Sequence, residues 1–324
     1  MNLKEISRPI ESDLKNFNAY IDSILKSDMK LLDLLIKQVK QAKGKQMRPM
    51  LVLLTAQLCG KVDERAYLAA SAIELWHTAT LIHDDVVDEA NERRGLASIN
   101  AVWDNKIAVL LGDFLLAKGL LALVNNTEFD FLRVASYAIQ LMSEGELLQI
   151  QKSRENDISE ETYFEIINGK TASLLSVCCE IGAIAAGADD VLSKKMQKFG
   201  ENLGNAFQIK DDIMDYVGSN TIIGKATGND LKEKKITLPL IYALQNTDPK
   251  TSKTILSKVK GKQISDKDVS EIIQFVIDRG GIEKSYQKAE EFIAKSIAIL
   301  SEFEPSPART ALEQFSRFVL ERKK

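Results

Sequence analysis

The chain of 324 residues, 45% hydrophobic and 27% charged, has the composition of an ordinary globular protein, which excludes a disordered or collagen-like one. Only 17 glycines, 6 prolines and 6% aromatics leave too few turns and strand formers for a large all-β protein, so the composition points to helices. A net charge of −3 gives no general attraction to nucleic acid or to an anionic membrane, and any polyanion must be met by a local cluster of cations.

Apolar residues recur at helical spacing almost throughout, broken by residues that begin and end helices. The first helix is predicted from near Pro9 to about Lys26. Asp28 then caps MKLLDLLIKQVKQAK, which ends at Gly44. Pro49 opens RPMLVLLTAQLCG, closed by Gly60, and a long helix runs from about Asp63 to Arg93, ending before Gly95. Further helices are predicted near 100–124, 127–153, 160–186 and 189–217, with shorter ones near 237–245, 250–260, 267–279, 282–302 and 307–323. SAIELWHTATLIH and SLLSVCCEIGAIAAG have no continuous polar face and belong at a buried centre, whereas IEKSYQKAEEFIAKSIAILSEF is amphipathic and belongs outside. No Pro-, Gly- or Ser-rich linker divides the chain. The expectation is one all-α domain over 1–324, a bundle of long antiparallel helices around a central cavity.

Cys59, Cys178 and Cys179 sit in apolar runs without a C-x-x-C pair, as expected of buried thiols in a reducing compartment. The N-terminal MNLKEISRPIESDLKNF lacks the apolar stretch of a secretory signal, and no run of 18 apolar residues suggests a transmembrane segment. The expected location is the cytoplasm.

Two acidic clusters interrupt this apolar pattern. In LIHDDVVDEANERRG, Asp84 and Asp88 stand four apart, so a helix projects both carboxylates from one face, with Asp85 beside them. In FQIKDDIMDY, Asp211, Asp212 and Asp215 repeat the spacing on another helix. One such cluster is as often a solvated helix end as a site. Two copies of D-D-x-x-D, each set in apolar sequence, favour a site. Six converging carboxylates are strongly unfavourable unless divalent cations balance them, and oxygen ligands completed by water and phosphate suit Mg²⁺. A di-iron centre is the rival metal reading. Glu74 and His77 form one Glu-x-x-His step, but no second exists, so the ligand count fails.

An anion should complete the coordination of Mg²⁺, and the cations for a diphosphate are at hand. Lys45 and Arg48 lie in GKQMRP, Arg93 and Arg94 follow the first acidic cluster, and Lys170 and Thr171 lie in NGKTAS. Lys225 and Lys235 lie within IIGKATGNDLKEKKITLP. A lone surface Lys or Arg is seldom a ligand. Lys170, amid INGKTASLLSVCC, is the exception that calls for an anionic partner.

Together these motifs resemble the trans-isoprenyl diphosphate synthases, most closely the long-chain polyprenyl synthases, from GKQMRP through KKITLP. The resemblance implies the isoprenoid synthase fold and two Mg²⁺-binding motifs, Asp84, Asp85 and Asp88 with Asp211, Asp212 and Asp215. It assigns Arg93, Lys170, Thr171, Gln208, Lys225 and Lys235 to the allylic diphosphate. It assigns Lys45, Arg48, His77 and Arg94 to isopentenyl diphosphate. His83 is expected to be a core histidine satisfied by a neighbour. In this family, bulky residues just before the first motif stop elongation. Ala79 and Thr80 are small, which implies a long product, hexaprenyl to decaprenyl, for quinone side chains. The resemblance also implies a farnesyl diphosphate primer and a homodimer, with GDFLLAKGLLALV as a possible interface. The alternatives are a shorter-chain synthase, a terpene cyclase, which usually replaces the second D-D-x-x-D, and a non-catalytic subunit, which would be expected to have lost acidic residues.

Overall fold

Some helix ends fall where the sequence carries its caps, as at Gly60 and Asp63. The computed structural model describes residues 2–42, 44–155, 159–217, 228–261 and 264–322, and these are almost entirely helical. Leu3–Ile6 (α1) leads through a 3-10 turn at Arg8–Ile10 into Glu11–Ile24 (α2). Lys30–Gln41 (α3) follows Met29, one residue later than the Asp28 cap predicts. Met47–Cys59 (α4) stops at Gly60. Glu64–Val87 (α5) is opened by Asp63, whose carboxylate accepts the Arg65 N–H at 2.9 Å.

The acidic helix is shorter than predicted. It ends at Val87 rather than near Arg93, because Asp84, Asp85, Asp88 and Glu89 crowd negative charge where the helix dipole is already negative. Glu89 then turns left-handed at φ 49°. Glu92–Arg93 (β1) and Leu96–Ala97 (β2) pair antiparallel, pairing Arg93 with Leu96. Their two-residue connection, Arg94–Gly95, has φ of 56° and 76°, the positive pair that a tight hairpin of this hand requires. The predicted helix over 100–124 is also broken, into Ile99–Val102 (α6) and Asn105–Asn125 (α7). Asp104 at the break accepts the Ile107 N–H at 2.8 Å.

Phe129–Glu155 (α8) follows. The predicted 160–186 helix comprises Glu160–Ile167 (α9), a π-turn at Asn168–Ala172 and Ser173–Ala185 (α10). Asp190–Val217 (α11) matches its prediction, and the single turn Asn229–Lys232 (α12) was not predicted. Leu238–Gln245 (α13), Pro249–Val259 (α14), Asp266–Asp278 (α15), Gly281–Leu300 (α16) and Pro307–Glu321 (α17) lie close to their predicted places.

The chain groups into two compact units. The first comprises Met1–Tyr137, Val177–Gln197 and Phe303–Phe315. Within it, α5 and α7 approach closely at glycines. A methyl on Gly112 or Gly119 would strike the His83 ring or the Trp76 indole. His83 Nε2 lies 3.2 Å from the Val109 carbonyl, and Trp76 Nε1 donates to Leu116 at 3.1 Å. His83 is thus satisfied by a neighbour as expected, but it is partly exposed and not a core residue. Length and composition would let α7 cross a membrane, a feature that a search for unbroken apolar runs does not find. Its Leu110 and Leu121 are each 55% exposed.

The second unit comprises Ala138–Ser176, Lys198–Glu302 and Ser316–Lys324. One of its cores gathers Tyr216, Leu231, Leu240, Ile255, Val269 and Ile272. Gly145 on α8 and Gly169 in the π-turn let two backbones meet. A Cβ on Gly145 would lie 2.8 Å from the Lys170 nitrogen, and one on Gly169 would lie 2.8 Å from the Leu141 oxygen.

Candidate active site

In the first unit the site is built around the end of α5. Asp84 and Asp88 are exposed one turn apart, while Asp85 is 4% exposed. Arg93 reaches Asp85 Oδ1 with Nε, at 2.8 Å, and with Nη2. The Asp85 carbonyl accepts the Ala90 N–H at 2.9 Å, so this residue clamps the chain reversal into the hairpin. Arg94 sits in the left-handed turn and donates to the Ala42 carbonyl at 2.9 Å. Its guanidinium lies where a side chain on Gly44 would have to go. Lys45 lies in the short segment between Gly44 and α4. A cavity of about 530 Å³ is lined by Leu81, Ile82 and Ile99 and also by His77, Arg93 and Arg94. Ala79 is fully buried, in a core cluster with Leu111 and Leu115 of α7. Thr80 is partly buried, and its hydroxyl donates to the His77 carbonyl at 2.9 Å.

Arg48, in the first turn of α4, places Nη1 2.8 Å from His77 Nε2. A guanidinium can only donate, so the imidazole accepts and is neutral. Burial, and then the positive charges of Arg48, Arg94 and Arg93, hold the His77 pKa well below 6.5. Arg48 Nε is buried with no partner among the described residues. A buried charged donor left open in this way suits an incoming anion.

In the second unit, the π-turn carries Lys170 and Thr171. Lys170 pairs with Glu146 of α8. Thr171 donates to Gln208 Oε1 at 2.7 Å, Gln208 Nε2 donates to Asp212 Oδ1 at 2.8 Å, and Tyr163 donates to Asp212 Oδ2 at 2.6 Å. Burial and the charge of Asp230 push the Asp212 carboxyl up to about 8, against the hydrogen bonds from Tyr163 and Gln208. Asp211 pairs at 2.9 Å with Arg322, whose guanidinium stacks 3.7 Å from the Phe207 ring centroid. Both Asp215 oxygens accept backbone N–H groups, from Asn229 at 3.1 Å and Asp230 at 3.0 Å. Burial and Asp215 raise the Asp230 carboxyl to about 6. Lys235 pairs with Glu233. Lys225 lies outside the described residues.

The two motifs therefore share a division of labour. In each, the second aspartate is turned inward and held by neighbours, and the first is more exposed. Among the described residues, no three His, Cys, Asp or Glu side chains gather closely enough to hold a metal by themselves. This donor set fits a hard cation that takes one or two carboxylates and completes its shell with water and phosphate. It does not fit a closed, all-protein metal cage.

A family model described as polyprenyl synthetase matches residues 29–276. The chain belongs to the polyprenyl synthetase family. It is 37% identical to an all-trans-nonaprenyl-diphosphate synthase (geranyl-diphosphate specific) of Rhodobacter capsulatus, over 98% of both chains. It is 35% identical to the octaprenyl diphosphate synthase of Escherichia coli K12, over 99% of both. A crystal structure of polyprenyl synthase from Caulobacter crescentus, complexed with calcium and isoprenyl diphosphate, superposes with a TM-score of 0.91. That pair is 32% identical, covering 100% of this chain and 98% of the other. Polyprenyl synthetases are trans-prenyltransferases that join isopentenyl diphosphate to allylic diphosphates, and this chain is such an enzyme. The all-α class and the family resemblance both hold.

The residues that the sequence does not reveal are the partners inside the synthase: Tyr163, Glu146, Asp230 and Arg322. Asp230 lies within the basic loop segment and carries a weak signal. Tyr163 reads as one aromatic on an apolar helix face, and Arg322 lies in a generic C-terminal helix.

Proposed function

We propose that the enzyme makes a long-chain all-trans polyprenyl diphosphate, hexaprenyl to decaprenyl, for quinone side chains. It would use isopentenyl diphosphate, a farnesyl diphosphate primer and Mg²⁺. The nonaprenyl and octaprenyl relatives support the length, and the calcium and isoprenyl diphosphate in the Caulobacter enzyme support the cation and ligand. Asp84, Asp88 and Asp211 would hold the ions, with Asp85, Asp212 and Asp215 fixing the surrounding backbone and side chains. When bound, Mg²⁺ offsets the negative charge that grows on the departing diphosphate.

Arg93, Lys170, Thr171, Gln208, Lys225 and Lys235 would grip the allylic diphosphate and stabilise it as the C–O bond breaks. Lys45, Arg48, His77 and Arg94 would hold isopentenyl diphosphate so that its double bond attacks the allylic carbon. The released diphosphate takes the proton, and the chain need supply no general base. Apolar helices exclude the water that would otherwise quench the cation. The growing tail would pass Ala79 and Thr80.

The observation that carries this function is the buried, unpartnered Nε of Arg48 beside a neutral His77. The test is incubation of the purified chain with labelled isopentenyl diphosphate, farnesyl diphosphate and Mg²⁺, followed by sizing of the product. A C30–C50 product that disappears with EDTA is expected. A C20 product overturns the long-chain assignment, and no product overturns the whole function. We also place the enzyme in the cytoplasm as a homodimer joined through the exposed apolar residues of α7. Leu110→Lys with Leu121→Lys should then give monomers in analytical ultracentrifugation.

A further inference from the structure

Tyr163 takes no part in the chemistry above, yet its hydroxyl ends a chain of hydrogen bonds that reaches the allylic site. The side chain is 5% exposed on α9 and meets Asp212 Oδ2 at 2.6 Å. The other Asp212 oxygen accepts from Gln208 Nε2, which leaves Gln208 Oε1 to face Thr171. Because that oxygen can only accept, Thr171 must direct its proton inward and turn its lone pairs away from Gln208. A proton shared between Tyr163 and Asp212 Oδ2 does not alter this order, since Oδ1 accepts from Gln208 in either case. The chain thus has a fixed direction. It spans α9, α11 and the π-turn, and each link is wholly or partly buried, so a broken link leaves a polar group unsatisfied.

We propose that Tyr163 is a positioning residue for the allylic diphosphate, acting through Asp212 and Gln208 to fix how Thr171 presents its hydroxyl oxygen. This rests on the assignment of Thr171 and Gln208 to that substrate. A merely structural tyrosine would weaken both substrate sites alike, or act independently of Thr171. A positioning tyrosine acts only while Thr171 has a hydroxyl to orient.

The test is a double-mutant cycle of Tyr163→Phe and Thr171→Val, read as KM for each substrate and as calorimetric binding of unreactive farnesyl thiodiphosphate with Mg²⁺. Tyr163→Phe should raise the allylic KM and the analogue's Kd roughly three- to tenfold, with KM for isopentenyl diphosphate little changed. In the Thr171→Val background the same substitution should add almost nothing, a non-additivity that identifies the pair as coupled. Fold-changes that multiply, or an equal rise in both KM values, would overturn the proposal. If Tyr163→Phe does not fold, Gln208→Leu cuts the same chain one link later and replaces it in the cycle. An inactive wild type in the product assay would instead count against the proposed function, and no variant is needed to see that.

Discussion

Arg48 donates to His77 across 2.8 Å, and the direction of that bond fixes the ring as neutral. The folded pKa of His77 lies below its unfolded value of 6.5, so the unfolded chain takes up the proton first. Stability from this residue is therefore present at neutral pH and lost as pH falls below 6.5, by at most about 1.4 kcal/mol per pH unit. His77→Gln keeps an acceptor for Arg48 but cannot titrate. Thermal unfolding at pH 7.5 and pH 5 should show a smaller acid loss in the variant than in the wild type. Its KM for isopentenyl diphosphate should rise less than that of His77→Leu.

Asp84 and Asp85 are adjacent, but one is exposed and the other is 4% exposed against Arg93. Asp84→Ala should abolish Mg²⁺-dependent condensation while leaving the circular dichroism spectrum and Tm near wild type. Asp85→Ala should lower Tm, by roughly 1–3 kcal/mol of stability, because it removes the carboxylate that holds Arg93 and leaves that cation unpaired. Full turnover in Asp84→Ala would refute the metal assignment.

Asp212 behaves in the opposite sense to His77. Its folded pKa of about 8 lies above the unfolded 3.8, so the native state holds the proton longer. Its contribution is present at low pH and lost as pH rises from about 4 towards 8. Without Mg²⁺, Asp212→Asn should unfold at a higher temperature than wild type at pH 8.5, and the gap should narrow at pH 5. A gap that widens on acidification would contradict the burial of this carboxyl.

Product length should respond to bulk beside the first motif. Thr80→Phe should shift products towards shorter prenyl chains, measured by chromatography of the dephosphorylated alcohols. Ala79→Phe should do the same at some cost in stability, about 1–3 kcal/mol, because Ala79 is fully buried against α7. An unchanged distribution in both folded variants would place the tail elsewhere.

The sequence revealed the helices wherever apolar spacing and a cap agreed, as at Gly60 and Asp63, and both aspartate motifs stood out because charge interrupts apolar runs there. It misplaced the end of α5. Gly95 looked like the stop signal, but charge repulsion ends the helix at Val87 and Gly95 serves the hairpin instead. Strands of two residues carry no alternation to detect. The inward turn of Asp85 and Asp212 was equally illegible, since all three aspartates of a D-D-x-x-D look alike until Arg93 and Tyr163 choose among them. Those choices depend on contacts across the fold, which no local pattern encodes.

The π-turn at Asn168–Ala172 places a wider loop of backbone between α9 and α10. One extra residue in a helical path rotates everything beyond it by about 100°. Deleting Gly169 would remove no side chain, yet it would swing Tyr163 out of phase with Thr171. For this segment, the number of residues matters as much as their identity.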